Sequence, residues 1–241
     1  MKFKILTLFP EIFEFFKDYS VVGRGIQEGL ASLDIINIRD YSENKHRKVD
    51  DYSYGGGPGM LMAPGPIVRA LEANTSQKSH VIYLSPKGQL LNQAKLNSLK
   101  DYEEITLING HYEGIDQRVI DHYVDEEISI GDYVLSGGEM ASLVLMDGLI
   151  RLLPGVLSNE ESPVDESHSA KLLEYPQYTR PQNFRGHEVP EVLLSGDHEK
   201  IRTYRRQMAI KETLEKRPDL LKEIDFSQEE IDFIKKLEEN I

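Results

Sequence analysis

Short apolar runs alternate with helix-like spacing along the first part of the chain. Phe3–Phe9, Ile35–Ile38, Val81–Leu84 and Ile105–Asn109 are rich in Ile, Leu and Val and predict strands. Val22–Leu30, Pro64–Ala73, Gln89–Leu99 and Gly137–Leu153 carry the periodicity of helices. Near-continuous apolar strands alternating with helices predict an α/β domain, a parallel sheet covered by helices on both faces, as far as about residue 157.

The pattern then changes. Ser158 to Ser169 reads Ser-Asn-Glu-Glu-Ser-Pro-Val-Asp-Glu-Ser-His-Ser, polar and without periodicity, which predicts a flexible linker. Asp197–Glu215 regains helical spacing, and Arg217-Pro218-Asp219 breaks it. Ser227–Glu239 reads as a last helix with Ser227 as N-cap and Ile231, Phe233, Ile234 and Leu237 as its apolar side. The expected organisation is a first domain over 1–157, a linker over 158–173 and a small helical domain over 174–241. There is no internal repeat.

Composition supports this reading and removes several chemistries. Hydrophobic residues at 39% and charged residues at 29% are ordinary for a globular chain. The absence of cysteine excludes disulfides, thiolate metal sites and cysteine nucleophiles. No apolar run approaches the ~20 residues of a membrane span. The run Phe3–Phe9 is too short for a secretory signal, so a cytoplasmic protein with no membrane partner is expected.

A net charge of −13 argues against a nucleic-acid partner until its distribution is read. Residues 1–168 hold 15 Lys and Arg against 26 Asp and Glu, residues 169–217 hold 10 against 7, and residues 218–241 hold 3 against 8. A basic island between acidic stretches keeps RNA among the candidate partners.

In open parallel sheets, ligands sit beyond the carboxyl ends of the strands. Three strand exits carry turn residues: Tyr83-Leu84-Ser85-Pro86-Lys87-Gly88, Asn109-Gly110-His111-Tyr112-Glu113-Gly114-Ile115-Asp116, and Ile130-Gly131-Asp132-Tyr133-Val134-Leu135-Ser136-Gly137-Gly138 running on to Glu139. Each could be a plain turn; together they could line a pocket with backbone N–H and C=O groups. Tyr54-Gly55-Gly56-Gly57-Pro58-Gly59-Met60 lacks the Gly-Lys-Ser/Thr ending of a phosphate loop, and the dinucleotide fingerprint is absent. No His or carboxylate spacing marks a metal site. The pairs Asp121-His122 and Asp197-His198 read as solvated surface, and there is no Gly-x-Ser-x-Gly elbow.

Longer words add a resemblance. Leu8-Phe9-Pro10, Arg39-Asp40-Tyr41, Asp50-Asp51, Tyr54–Met60, His111-Tyr112-Glu113-Gly114-Ile115-Asp116-Gln117-Arg118, Ile130–Glu139, Leu153-Pro154-Gly155-Val156-Leu157, Tyr178-Thr179-Arg180-Pro181 and Val192-Leu193-Leu194-Ser195-Gly196 run in order through nearly the whole chain. They resemble the bacterial tRNA (guanine-N1)-methyltransferase family. The resemblance implies a SPOUT-class fold with a trefoil knot in the α/β domain, a homodimer, and S-adenosyl-L-methionine as cofactor. The implied reaction is methylation of N1 of the guanosine 3′-adjacent to the anticodon of tRNA. By matching position it implies cofactor contacts from Tyr83, Leu84, Ser85 and Pro86, from Gly110, Tyr112, Glu113 and Gly114, and from Ile130, Gly131, Asp132, Tyr133, Val134, Leu135, Gly137 and Gly138. Magnesium accompanies the reaction in some members, although no ligand set is spaced for it here.

The chemistry asks for two further groups. Guanine N1 carries a proton, so attack on a sulfonium methyl needs a carboxylate base at N1 and a donor near O6. Arg151 matches the family's catalytic arginine; on its residues alone it is equally a helix C-terminal cation. The family's base is the aspartate of an Asp-Ser-Phe word, and an ungapped match places Glu166-Ser167-His168 there, with Asp165 one residue earlier. Lys171 stands where the family often has glycine. RNA contacts are expected from Arg39, Lys45, His46, Arg47 and Lys48 before Asp50, and from Lys200, Arg202, Arg205, Arg206 and Lys211. Spacing by three and four puts Arg202, Arg205 and Arg206 near one helix face. Two other readings stay open: a methyltransferase of this fold with another RNA target, and an RNA-binding protein of this fold whose altered linker word has ended turnover.

Overall fold

The computed structural model describes residues 1–157, 167, 171–222 and 224–239. Asp165, Glu166, His168 and most of the expected linker lie outside the described residues. The chain divides into two compact units, Met1–Glu160 and Glu161–Ile241.

In the first unit a five-stranded sheet, parallel at every pairing, runs in the order β2 (Ser32–Asn37), β1 (Lys2–Thr7), β6 (Glu104–Ile108), β5 (His80–Leu90), β7 (Glu126–Ser129). Alternate strand residues feed two cores, as the two-residue period of a strand requires. Phe3, Ile5, Ile82, Leu84, Ile105 and Leu107 pack with α1 (Glu11–Phe16), α2 (Ser20–Gln27), α4 (Gln93–Leu99) and α6 (Glu139–Ile150). Leu6, Tyr83 and Ile108, out of phase with these, pack with α3 (Pro64–Asn74) and α5 (Gln117–Tyr123). Both faces are covered, so the central strands β5 and β6 carry near-continuous apolar runs, Val81–Leu84 and Ile105–Ile108 broken only at Thr106. No helix among the described residues is long and apolar enough to cross a membrane.

The short helices α1 and α5 were not expected, and two further departures shape the sheet. The helix expected from Gln89 starts at Gln93, because Gln89 and Leu90 continue β5 and pair with Ile128 and Ser129 of β7. The register breaks between Leu84 and Gln89, so Ser85–Gly88 bulges out of the ladder. A β-bulge of this kind redirects side chains at a sheet edge. Asn92 then caps α4, its side chain accepting from the Lys95 N–H at 2.9 Å. The edge strand β7 was hidden in the sequence behind Glu126 and Glu127.

Glu126 is held by partners rather than by hydropathy. Its carboxylate accepts from Lys95 Nζ and lies against His80 Nε2, each at 2.7 Å, and His80 stacks on Tyr102. Burial pushes this carboxyl up, but the hydrogen bonds from Lys95 and His80 outweigh it and hold it below the ordinary glutamate range. A depressed folded-state value stabilises the fold above the unfolded-state titration near pH ~4.3, and that contribution is lost as pH falls through the folded-state value. Glu126→Gln should therefore cost about 2 kcal/mol at neutral pH, lowering Tm by roughly 4–8 °C. In thermal melts the gap to wild type should begin to narrow as pH falls below about 4 and go on narrowing toward the lower folded-state value; a gap that stays constant over that range would show that charge is not the cause.

The second unit has a small core of Leu172, Ala209 and Ile210 with Tyr175, Leu221, Phe226, Phe233 and Ile234 against it. A two-stranded hairpin, Asn183–Phe184 with His187–Glu188, turns through Arg185 and Gly186, both at positive φ. Two such residues give the turn the twist a tight hairpin needs. The long helix His198–Lys216 is capped by Asp197, and the last helix, Gln228–Glu238, begins in a capping box of Ser227 and Glu230. Arg206 Nε donates to Glu230 Oε1 at 2.7 Å and ties these two helices together.

Candidate active site

The carboxyl ends of β1 and β6 and the start of α6 are joined by a buried polar network. Asn109, fully buried, donates from Nδ2 to the Leu6 carbonyl at 2.9 Å, and its Oδ1 accepts from Ser142 Oγ at 2.6 Å. Thr7 Oγ1 donates to Glu139 Oε1 at 2.8 Å and accepts from the Phe9 N–H. Glu139 sits in the first turn of α6, where the helix dipole favours a carboxylate. The Gly138 N–H donates to the Gly110 carbonyl at 2.9 Å. Buried groups satisfied in this way fix geometry, because any displacement leaves an unpaired polar atom. Two glycine loops are thereby held against each other at the sheet's carboxyl edge.

Between them and the β5 bulge lies a cavity of about 390 Å³. All three strand exits line it: Tyr83, Leu84, Ser85 and Pro86; Gly110, Tyr112, Glu113 and Gly114; Ile130, Gly131, Tyr133, Val134, Leu135, Gly137 and Gly138. Asp132 is exposed and is not in the lining. Lys87 and His111 of the expected exits line it too, and Leu61, Ile120 and Glu127 join them from outside those exits. Leu61 arrives through β4 (Leu61–Met62), which pairs with β3 (Asp50–Asp51). The Tyr54–Met60 loop has Gly55, Gly56, Gly57 and Gly59 at positive φ and packs Gly59 under the Glu113 side chain. It thus buttresses a cavity residue.

Two glycines of the cavity are required by space. A Cβ at Gly110 would lie 2.7 Å from Tyr83 Oη, and one at Gly138 would lie 3.0 Å from Asn109 Cα. Tyr83 is itself buried; burial raises its phenol above the ordinary value, the Glu127 charge adds to this, and the Ile115 N–H works in the opposite direction. Glu127 Oε2 and His111 Nδ1 are buried atoms with no hydrogen-bond partner among the described residues. Unsatisfied buried polar atoms at a cavity wall mark where a ligand's donors and acceptors belong.

The remaining candidates are dispersed. Arg151 caps the far end of α6 and is not in the lining. With 12 residues in α6, roughly 18 Å separates its two ends at 1.5 Å per residue. Lys45 is exposed, Arg47 pairs with Asp40 at 3.2 Å, and Lys48 pairs with Asp51 at 3.3 Å. The three helix arginines have different surroundings. Arg206 is paired with Glu230, Arg205 lies over the Tyr175 ring at 4.9 Å, and Arg202 is exposed. Among the described residues, no group of three or more His, Asp or Glu is placed to hold a metal ion.

A parallel sheet with a ligand cavity between three of its carboxyl-end loops defines the class: an α/β enzyme domain. Residues 1–223 match the family described as tRNA (Guanine-1)-methyltransferase TrmD. A tRNA (guanine-N(1)-)-methyltransferase of Clostridium perfringens (strain 13 / Type A) is 52% identical over 236 residues, covering 98% of this chain and 99% of that relative. One from Finegoldia magna is 52% identical over 220 residues (91% and 94%), and one from Ruminiclostridium cellulolyticum 51% identical over 227 residues (93% and 97%). The chain belongs to this family of tRNA (guanine-N1)-methyltransferases.

Proposed function

We propose that the chain transfers a methyl group from S-adenosyl-L-methionine to N1 of the guanosine 3′-adjacent to the anticodon in tRNA, in the cytoplasm, as a homodimer with a trefoil-knotted α/β domain. The observation that carries this reading is the single cavity on which the three glycine-marked strand exits converge.

The cavity suits the cofactor. Its size falls within the roughly 300–1,000 Å³ of small-molecule sites. Apolar walls from Leu61, Ile115, Ile120, Ile128 and Ala141 suit an adenine ring. The unpartnered Glu127 Oε2 and the Glu113 carboxylate suit a ligand that is cationic and rich in N–H and O–H donors. When bound, S-adenosyl-L-methionine supplies an electrophilic methyl group on a sulfonium centre. Glu113 offsets positive charge in the cavity, and backbone N–H and C=O groups of Gly110–Gly114 and Ile130–Gly138 orient the ligand at short range.

The rest of the chemistry falls to the linker and to Arg151. A carboxylate at Glu166, or Asp165 beside it, takes the N1 proton of the target base. The Arg151 guanidinium donates to O6 as charge builds there. Because Arg151 stands at the opposite end of α6 from Gly138, it serves a cavity other than its own protomer's. The outer stripe of α6 is suited to that pairing, with Met140 and Val144 about half exposed and Asp147 and Arg151 following at helical spacing. A helix apolar on nearly every side calls for cover on this face as well.

Labelled S-adenosyl-L-methionine with tRNA transcripts bearing G or A after the anticodon tests the reading directly. Label should enter the G transcript alone. Methylation of both would point to another RNA target, and binding without methylation would point to a protein that has lost turnover. In single-turnover assays, Glu166→Gln should slow transfer roughly 10²-fold, as removal of a general base does, and more than Asp165→Asn, with tRNA binding little changed. The reverse order would assign the base to Asp165.

A further inference from the structure

Several cations of the second unit are neutralised where they stand. Lys200 pairs with Asp197, Arg206 with Glu230, Lys211 with Glu215, Lys216 with Glu212 and Arg217 with Asp219. Two arginines instead border a cavity of about 490 Å³ between the long helix and the segment leading to the hairpin. The Arg205 guanidinium carbon lies 4.9 Å from the centre of the Tyr175 ring, and its buried Nε has no hydrogen-bond partner among the described residues. Arg180 stands on the same cavity, and among the described residues no Asp or Glu lines it. In a chain of net charge −13 this is a local anion site.

The lining also determines what kind of anion fits. A bare phosphate would need only the guanidinium groups. The cavity adds an apolar wall of Val189, Leu193 and Ile201, and Tyr178, whose ring is half exposed, at its rim. Gln182 and Gln177, whose Nε2 donates to Glu174 Oε1, complete the wall. A planar apolar face, amide donors and acceptors, and a guanidinium pair within one cavity match an unstacked nucleobase and its phosphate.

We propose that this cavity of the second unit is a nucleotide-binding subsite that takes one unstacked nucleotide of the RNA, with its base against Tyr178 and the apolar wall and its phosphate at Arg205 and Arg180. This deepens the reading of the chain as a tRNA methyltransferase and rests on it for the identity of the RNA. It also changes the role of Arg205 on the long helix. The residue reads a single strand at one point instead of following the phosphates of a duplex in a row with Arg202 and Arg206.

The test couples protein and RNA changes. Filter binding is measured with the full chain and a set of tRNA transcripts, each lacking the base at one position. One position should weaken wild-type binding about tenfold, on the scale of losing one stacked base. At that position alone, Arg205→Lys and Tyr178→Leu, each weaker than wild type on intact tRNA, should show no further loss. Arg205→Lys keeps the charge, so its salt dependence should match wild type while its affinity falls. Thermal melts and unchanged S-adenosyl-L-methionine affinity confirm folding, and Tyr178→Leu guards against failure of the arginine variant because its ring is half exposed. Strict additivity at every position, or wild-type affinity in both variants, overturns the proposal. So does a shift in oligomeric state with tRNA affinity intact, which would make the cavity a protein interface. A chain that shows the coupling but methylates no tRNA keeps this site and loses the proposed activity; methylation with strict additivity does the reverse.

Discussion

Gly138→Val is expected to weaken S-adenosyl-L-methionine binding by at least ~100-fold, about 2.7 kcal/mol, while the sheet stays folded. Gly138 has ordinary helical dihedrals at the N-cap of α6, so a side chain is not excluded by backbone strain. Space excludes it. A Cβ would meet Asn109 Cα at 3.0 Å and the Gly110 N at 3.2 Å, and both are backbone atoms that cannot rotate away. Valine adds two methyl groups to that contact and forces the Gly110 loop off α6. The Gly138 N–H to Gly110 carbonyl bond is then strained, and the two loops that form the cavity floor separate. Overpacking of this kind costs about 1–3 kcal/mol of stability, a Tm change of roughly 2–12 °C for a unit of this size. Titration calorimetry with the cofactor measures the main effect, and Gly138→Ala should fall between wild type and valine. Binding within threefold of wild type would mean that the cofactor lies elsewhere.

The same region shows what could be read from sequence. Glycine clusters after apolar runs pointed to the loops now seen around the cavity, because glycine marks both turns and close approaches of backbone. Glu127 could not be found that way. It follows another acid in a segment without strand-like hydropathy, and its importance comes from the burial of one oxygen beside Tyr83 once β7 joins β5. The Thr7–Glu139 bond joins residues 132 positions apart, a separation over which no periodicity carries information. β1, β5 and β6 were legible because strands covered on both faces carry near-continuous apolar runs, such as Ile5-Leu6, Val81–Leu84 and Leu107-Ile108. The start of α4 was not, since a proline and a glycine within Ser85–Gly88 read as a loop, whereas the chain bulges there and then resumes its strand.

The helix arginines make the same point for charge. Spacing placed Arg202, Arg205 and Arg206 near one face, and that much follows from helix geometry. What each cation can do was decided by residues distant in sequence, Glu230 for Arg206 and Tyr175 for Arg205. A count of basic residues therefore overstates how much phosphate the long helix can hold, and the guanidinium beside the second cavity becomes the informative one.

Val144→Glu is expected to convert the protein to monomers and to lower methyl transfer by at least ~10³-fold, with the cofactor cavity still formed. Val144 lies on the exposed side of α6, and its neighbours there, Met140 and Asp147, are exposed too, so the substitution disturbs neither core of the protomer. In a two-fold dimer each change appears twice, because the same patch serves both copies. Burying two carboxylates without partners costs several kcal/mol, so about 4 kcal/mol, or ~10³-fold in the dimer constant, is a modest expectation. Activity should fall with the dimer because Arg151 and Gly138 stand at opposite ends of a helix of 12 residues, roughly 18 Å apart, beyond the reach of one arginine side chain. In the proposed reading a second copy laid across the stripe supplies the guanidinium at O6. Sedimentation velocity gives the mass, calorimetry the cofactor affinity and single-turnover assays the transfer rate. A monomer with wild-type transfer would place Arg151 outside the chemistry, and a Val144→Glu dimer would move the interface to another face.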